Sequence, residues 1–308
     1  MRSRFLQLSK LSILPYLLLT LTLLFWAGNW VVGRAIRNDV PPVALAFWRW
    51  SIAFLVLLPF TWGHLRKQWA DVRHHWKILT LLSLFSTGTY NAITYKGLQY
   101  TTATNGSILN SFVPIFIIAI SWLFLNQRLS TRQWVGVALS CIGVLAIIAR
   151  GRLAALAALE INPGDLWLLA SSLMWAIYTI CFKWRPQKLH PLAFLAAIVG
   201  IGVIIMIPVY LWEMASGLHI HWGPPAIASL VYVGIFPSAI GYIFWNYGVA
   251  EIGPNKAGLF LHLMPVFGSL LSIIFLDESF QLYHFFGMAL IFAGIYLTSS
   301  ARNQLVQN

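Results

Sequence analysis

The chain of 308 residues is 59% apolar and only 9% charged, and its 20 lysines and arginines against 8 aspartates and glutamates give a formal net charge of +12. A surface that faces water needs far more charge than this, so most of the surface must face lipid, which excludes a water-soluble enzyme. The basic residues lie in short gaps between apolar runs rather than along one stripe, which excludes a nucleic-acid-binding module.

The apolar runs predict ten membrane-spanning helices, because a span needs about 20 mostly apolar residues. The first run is too long for a signal peptide and lacks a small-residue cleavage site, so it is predicted to remain as a span. Helix-breaking pairs such as Pro41-Pro42 and Gly253-Pro254 lie in the segments between the apolar runs. The predicted spans 1 to 10 cover residues 12–33, 43–62, 77–96, 103–125, 131–149, 164–183, 191–212, 224–247, 255–276 and 281–299.

The lysines and arginines of the gaps orient these spans, since cytoplasmic loops carry an excess of both residues. With the N-terminus inside, most of the basic residues fall on the cytoplasmic side, including Arg66, Lys67, Arg128 and Arg132. The sequence therefore predicts a multi-pass protein of a plasma membrane, the bacterial inner membrane, with both termini in the cytoplasm.

The second half of the chain repeats the first. Two constant offsets in residue number are enough to align the two halves. A shift of 149 residues superposes identical residues at Trp26-Ala27 and Trp175-Ala176, Pro42 and Pro191, and Pro59 and Pro208. A shift of 151 residues does the same for Gly97 and Gly248, Pro114 and Pro265, Gly136 and Gly287, and Gly143 and Gly294. Single matches are at chance level, but their order along the whole chain indicates an internal duplication.

The two repeats are predicted to be inverted, because each has five spans and an odd number reverses the second. The loop after span 2 carries Arg66, Lys67 and Arg73, whereas its counterpart after span 7 carries no lysine or arginine. We therefore expect an all-α integral membrane protein with ten transmembrane helices, arranged as two inverted five-helix repeats, residues 12–149 and 164–299, around a central cavity. Inverted repeats let one central site open alternately to two sides.

The chain resembles the EamA family of the drug/metabolite transporter superfamily over essentially its whole length. The resemblance is carried by Trp26-Ala27-Gly28, by PVALAFWRW from Pro42, and by the joints YKGLQYTTATNGSILNSFVPIF and NYGVAEIGPNKAGLFLHLMPVF. The family usually has a glutamate just after spans 4 and 9, which this chain keeps as Glu278 and replaces by Gln127. The resemblance implies a ten-helix bundle with a cavity between spans 1, 3, 4, 6, 8 and 9, and export of amino acids or other small metabolites.

Polar and aromatic side chains within the spans are candidates for the site, because polar groups are costly in a bilayer. Trp26, Asn29 and Trp30 lie on one side of span 1, and the shift of 149 residues relates the first two to Trp175 and Tyr178 in span 6. Large rings on both sides of a pseudo-two-fold axis suit an aromatic or amphipathic ligand. A lipid-facing or interfacial position of the tryptophans is the alternative.

Spans 3 and 8 carry a second related set of side chains. Asn91 and Tyr95 lie one helical turn apart, and the shift of 151 residues maps them onto Tyr242 and Asn246, so the two residue types are in swapped order. The pattern predicts cavity lining, with the tyrosines as walls and the amides orienting the substrate. Packing between helices is the alternative.

Spans 4 and 9 contribute the remaining candidates. Ser107 and Ser111 share a face of span 4, while Lys256 lies near the cytoplasmic start of span 9 and His262 corresponds to Ser111. Lys256 or His262 is predicted to meet a substrate carboxylate. The alternatives are a lysine that extends to the lipid headgroups and a neutral histidine bonded to a neighbouring helix.

Arg49 is the one basic residue predicted to lie within the hydrocarbon, between Trp48 and Trp50 in span 2. Such a guanidinium can cap carbonyl groups, stack on a ring or bind an anion. Because span 2 lies outside the cavity set that the resemblance implies, we expect a structural role for Arg49.

Absent features narrow the function further. The eight acidic residues all fall in loops or at span ends, whereas an antiporter of cations and protons needs a carboxylate within the membrane. His219 and His221 offer only two potential ligands, which rarely make a metal site. Without a P-loop, a G-x-S-x-G or an H-E-x-x-H motif, the sequence indicates no cofactor, no ATP drive and no hydrolysis.

The sequence thus predicts a secondary active or facilitative transporter that exports amino acids or other small amphipathic metabolites by alternating access. Its expected partners are the small-molecule substrate and the lipid bilayer, with no nucleic acid. An integral-membrane enzyme acting on a lipid-linked substrate is the main alternative, and a passive channel is another. The stripes of Gly136 and Gly143, and of Gly287 and Gly294, allow close helix contact within the bundle or in a homodimer.

Overall fold

All regular secondary structure is helical in the part of the chain that the computed structural model describes. These residues are 13–36, 38–97, 99–100, 109–110, 112–126, 129–149, 163–276 and 281–300. The helices are α1 (Leu14–Ala35), α2 (Pro42–Lys67), α3 (Trp69–His74), α4 (Trp76–Ser83), α5 (Tyr90–Gly97), α6 (Val113–Leu125), α7 (Thr131–Ile148), α8 (Pro163–Cys181), α9 (Pro191–Ala215), α10 (Pro224–Val233), α11 (Gly241–Ile252), α12 (Pro254–Leu259), α13 (Leu263–Leu276) and α14 (Leu282–Ser300).

Local sequence explains where many of these helices begin and end. A proline in the first turn opens α1, α2, α6, α9, α10 and α12, where its missing N–H costs no hydrogen bond. A capping box, in which Ser130 and Gln133 bond each other's backbone N–H, opens α7. Gly253 has a φ of 83° between α11 and α12, a left-handed conformation that glycine adopts without strain.

Five helical segments within the described residues are long and apolar enough to cross a membrane. They are Leu14–Gly33, Pro42–Lys67, Pro163–Trp184, Pro191–Ala215 and Pro224–Ile252, and they coincide with predicted spans 1, 2, 6, 7 and 8. Shorter apolar helices lie within predicted spans 4, 5 and 10, at Val113–Leu125, Thr131–Ile147 and Leu282–Thr298.

Predicted spans 3, 8 and 9 contain irregular helical turns. A π-helical segment, Leu84–Gly88, lies between α4 and α5, and a second, Gly234–Ile240, joins α10 to α11. A 3₁₀ turn, Phe260–His262, separates α12 from α13. Each π segment adds a residue to a turn and frees backbone groups, a feature that is often found at functional sites.

The two halves of the chain pack across each other in a reciprocal way. Helix α1 of the first half packs against α11 and α13, and α8 of the second half packs against the matching helices of the first, α5 and α6. Two further contacts pair equivalent helices, α2 with α9 and α7 with α14. This reciprocal pattern and the all-helical architecture confirm the predicted fold class of two inverted repeats around a shared centre.

The glycine stripes are used in the contact between α7 and α14. A Cβ atom on Gly143 would lie 2.6 Å from the carbonyl oxygen of Gly287, and one on Gly136 would lie 2.6 Å from that of Gly294. The backbones therefore touch at positions where the repeat predicts small residues. The stripes serve packing within one chain.

Candidate functional site

A small cavity lies at the centre of the bundle, between the two halves. Its walls come from α1, α2, α5, α8, α11, α13, the 3₁₀ turn before α13 and Asn110. The lining residues are Trp26, Asn29, Trp30, Arg49, Tyr90, Asn91, Thr94, Tyr95, Asn110, Trp175, Tyr242, Leu261 and Met264.

The cavity is contracted in this conformation. Its volume is about 30 Å³, whereas one water needs roughly 10–15 Å³ and a small-molecule pocket has roughly 300–1,000 Å³. A solute of amino-acid size therefore enters only if the surrounding helices separate.

Aromatic rings from both repeats form one wall. The rings of Trp26 and Trp175, which occupy equivalent repeat positions, meet edge to face with centroids 5.0 Å apart. Tyr242 lies against both, at centroid distances of 6.0 Å from Trp26 and 5.4 Å from Trp175. These separations are typical of stabilising aromatic pairs, so the wall is a packed cluster rather than a row of lipid-facing rings.

The π segment between α10 and α11 holds this cluster in place. Trp26 donates from Nε1 to the carbonyl oxygen of Pro237 at 2.8 Å. Pro237 lies inside the segment and has no N–H to donate, which disrupts the regular helical ladder there. Ser238 donates to the carbonyl oxygen of Val233, five residues earlier, at 2.6 Å, and its hydroxyl oxygen also accepts from α2.

Arg49 is the donor to that hydroxyl, and its side chain is only 2% exposed. Its Nε donates to Ser238 at 2.8 Å, and its Nη1 donates to Oδ1 of Asn91 at 2.9 Å and to the hydroxyl of Tyr95 at 3.0 Å. The guanidinium carbon also lies 5.2 Å from the ring centre of Trp50. Arg49 thereby ties α2 to α5 and to the second repeat.

A hydrogen bond between tyrosine and asparagine occurs once in each repeat. Tyr95 donates to Oδ1 of Asn29 at 3.2 Å, and Tyr178 donates to Oδ1 of Asn246 at 2.6 Å. The first pair lines the cavity, whereas neither member of the second pair is among its lining residues. Tyr178 instead lies behind the wall, with its ring centre 5.2 Å from that of Trp175.

Seven of the sequence-predicted site residues line the cavity. They are Trp26, Asn29, Trp30, Asn91, Tyr95, Trp175 and Tyr242.

The other candidates lie elsewhere. Lys256, which is half-buried in α12, and His262, which is fully buried in the 3₁₀ turn, are not among the lining residues. Ser107 and Ser111 lie outside the described residues, as do Gln127 and Glu278.

The cavity also contains residues that the sequence reasoning did not include. Arg49, for which the sequence predicts a structural role, ties helices together and also lies on the wall. Tyr90 and Thr94 each precede a predicted residue, Asn91 and Tyr95, by one position. Since these four positions form one helical stripe, extending the predicted stripe by one residue would have found both.

Comparisons with known proteins agree with this architecture. The model of the EamA-like transporter family matches residues 13–149 and again residues 162–300. An uncharacterized transporter of Archaeoglobus fulgidus is 28% identical over 94% of this chain and 98% of its own length. A protein of known crystal structure superposes with a TM-score of 0.73 at 17% identity, covering 92% of this chain and 95% of that one, a likeness of fold.

One relative carries a more specific name. A probable terminal-alkyne amino-acid exporter of Streptantibioticus cattleyicolor is 24% identical over 91% of this chain and 91% of its own length. An uncharacterized transporter of Bacillus subtilis, YyaM, is 26% identical over 92% of this chain. Because the family model matches both halves, the chain belongs to the EamA-like transporter family and is a multi-pass membrane transporter of small molecules, not a member of an enzyme family.

Proposed function

We propose that this transporter exports amino acids or other small amphipathic metabolites across the inner membrane of a bacterium, with both termini in the cytoplasm. The observation that carries the proposal is the central cavity, to which both repeats contribute aromatic rings and polar groups. A site on the axis between inverted repeats can open to either side with little change in its own walls. The amino-acid exporter named among the relatives supports the same substrate class.

Alternating access would arise when the two repeats, residues 12–149 and 164–299, rock about this cavity. The start of α2 meets the end of α9, where the carboxylate of Glu213 accepts from the backbone N–H of Val43 at 3.0 Å and of Ala44 at 2.6 Å. Under the proposed topology this contact is on the outer side. A carboxylate at a helix N-terminus is stabilising there because it meets the positive end of the helix dipole.

A corresponding contact lies on the inner side, between the end of α2 and the start of α9. Gln68 accepts from the backbone N–H of His190 at 2.9 Å and donates to the carbonyl oxygen of Lys188 at 2.8 Å. The rings of His64 and His190 stack with centroids 3.7 Å apart. Since both contacts are made at once, the contracted cavity fits an occluded state from which either side opens by releasing one contact.

Proteoliposomes provide the test. Vesicles with the protein in right-side-out and inverted orientation are loaded with labelled amino acids, and saturable, competable flux is expected in both preparations. Trp175→Ala, which removes a cavity wall, is expected to abolish most of the flux, while Trp212→Ala, whose ring is 70% exposed on α9, leaves the flux unchanged. Equal inertness of both preparations towards a broad metabolite panel would contradict the proposal.

A further inference from the structure

We infer that Arg49 binds the carboxylate of the transported solute, with Asn91 and Tyr242 as additional donors, so that the substrates are small organic acids that carry an apolar group. This inference rests on the proposed function and names the substrate class of the same cavity. Amino acids belong to that class through their carboxylate, and their amino group is not needed for binding.

The first argument is the charge of Arg49. A buried guanidinium is costly unless a negative group compensates it. The acceptors of Arg49 are all neutral, namely the side-chain oxygens of Ser238, Asn91 and Tyr95. Neither these partners nor the lining residues of the cavity include a carboxylate. The positive charge is therefore held in place but not neutralised by the described residues.

The second argument is the hydrogen-bonding balance of the cavity. Among the described side chains, Nδ2 of Asn91, Nε1 of Trp175 and the hydroxyl of Tyr242 are buried without a hydrogen bond of regular geometry, and the side chains of Asn91 and Tyr242 lie close enough to interact with each other. All three residues line the cavity, and they are 6%, 2% and 2% exposed. The amide nitrogen of Asn91 and the indole nitrogen of Trp175 can only donate a hydrogen bond, and the hydroxyl of Tyr242 can donate as well as accept.

The amide oxygens of Asn91 and Asn29 are already engaged. Oδ1 of Asn91 accepts from Arg49, and Oδ1 of Asn29 accepts from Tyr95. The described cavity thus presents one cation and several unused donors. A carboxylate has the complementary chemistry, since it carries a negative charge and only accepts hydrogen bonds.

The aromatic wall would contact the apolar group of the solute. Trp26 and Trp175 meet edge to face and present apolar ring surface beside the donors, which suits a hydrocarbon or aromatic group. An organic cation would bring its charge next to Arg49 without an acidic partner among the lining residues. Cationic solutes are therefore disfavoured by the same charge that attracts acids.

Calorimetric titration of the purified protein tests the substrate class with four related probes. These probes are 3-phenylpropionate, 3-phenylpropanamide, phenethylamine and phenylalanine, which share the phenyl group and differ in charge. We expect 3-phenylpropionate to bind at least about tenfold more tightly than the amide or the amine, which is typical of a lost charge-assisted hydrogen bond. Phenylalanine is expected to bind no more tightly than 3-phenylpropionate.

Substitutions then assign the effect to individual donors. Arg49→Gln is expected to remove the preference for acid over amide, and Arg49→Lys to retain part of it, because the charge remains. Tyr242→Phe keeps the ring and removes a hydroxyl that makes no hydrogen bond of regular geometry and interacts with the side chain of Asn91. It should lower the affinity for 3-phenylpropionate several-fold while the protein still folds. Lys256→Gln removes a positive charge that lies outside the lining and should leave the affinity for 3-phenylpropionate unchanged.

Tyr242→Phe keeps the test decisive if Arg49→Gln fails to fold. Equal affinity of wild type for the acid and the amide, or unchanged acid affinity in Tyr242→Phe, would overturn the inference. Flux of amino acids without any acid preference would leave the proposed transport intact. Conversely, Arg49-dependent binding of acids without flux in proteoliposomes would contradict the transport proposal and leave the binding site standing.

Discussion

Tyr178 donates a 2.6 Å hydrogen bond to Asn246, and this pair is the repeat counterpart of the bond from Tyr95 to Asn29 with donor and acceptor exchanged between the spans. In the first repeat the tyrosine belongs to α5 and the asparagine to α1. In the second repeat the tyrosine belongs to α8 and the asparagine to α11. The repeats therefore preserve the cross-helix bond while one copy lines the cavity and the other supports its wall.

Loss of the supporting bond is expected to destabilise the protein. Tyr178→Phe leaves the carbonyl of Asn246 buried without its donor, which costs about 1–3 kcal/mol of the free energy of unfolding. Thermal unfolding in detergent measures the effect, with Tyr242→Phe as the matched control because that buried hydroxyl makes no hydrogen bond of regular geometry, unlike the 2.6 Å bond of Tyr178. Equal unfolding temperatures for the two variants would show that the bond from Tyr178 does not contribute to stability.

The contact between α7 and α14 is expected to tolerate no added methyl group at Gly143. The new Cβ would lie 2.6 Å from the carbonyl oxygen of Gly287 and 3.0 Å from the amide nitrogen of Ile291, and backbone atoms cannot move aside as side chains do. Gly143→Ala should therefore lower the free energy of unfolding by about 1–3 kcal/mol.

Gly63 in α2 provides the opposite case. Nothing lies within 4 Å of the position of its Cβ, so Gly63→Ala should stabilise the helix by roughly 0.5–1 kcal/mol. Thermal unfolding of the two glycine variants side by side separates a packing effect from helix propensity. The packing explanation fails if Gly143→Ala is as stable as Gly63→Ala.

Removal of the charge at Glu213 is expected to loosen the contact between α9 and α2. Glu213→Gln leaves a single neutral acceptor for the backbone N–H groups of Val43 and Ala44, which weakens the cap by about 1 kcal/mol. Hydrogen exchange of the first turn of α2 should accelerate about fivefold as a result. Glu251→Gln, at an exposed position on α11, serves as control, and the same acceleration there would argue against a specific cap.

The contact on the other side of the bundle is expected to respond to pH. Burial, together with the neighbouring ring of His64, lowers the pKa of His190 below its ordinary value, and the ring accepts from the backbone N–H of Leu192 at 3.3 Å through Nδ1. A group with a lowered folded-state pKa contributes stability above its ordinary pKa of about 6.5, and this contribution is lost as the pH falls through the folded-state value.

Acid should therefore open the start of α9. Hydrogen exchange of its first turn, corrected for the intrinsic effect of pH, is expected to be faster at pH 5 than at pH 7.5. His190→Asn keeps a capping side chain but does not titrate, and it should abolish the difference. A difference that persists in His190→Asn would assign the effect to His64 or to another group.

Much of the fold could be predicted from the sequence because a bilayer constrains it strongly. Apolar runs of sufficient length identified the spans, and the repeat identified equivalent positions such as Trp26 and Trp175, which meet in the structure. The cavity stripe on α5 followed from helical spacing. These features depend on periodicity, which is visible in one chain.

The rest depends on how helices pack, which periodicity does not contain. Arg49 lies on the cavity wall because α2 approaches the π segment that holds Ser238, and hydrophobic periodicity does not predict that approach. Tyr242 and Asn246 are one turn apart, but only Tyr242 lines the cavity. The spacing of residues along a helix predicts which of them share a face. It does not predict which of them lie at the level of the cavity.

The most direct test of the two inverted repeats is the side of the membrane on which equivalent loops lie. Single cysteines at Arg73 and Leu218, both exposed, are introduced after Cys141 and Cys181 are replaced by serine. A membrane-impermeant maleimide applied to intact cells should label Leu218→Cys and spare Arg73→Cys until the membrane is opened. Labelling of both positions from the same side would contradict the inverted arrangement and the transport mechanism built on it.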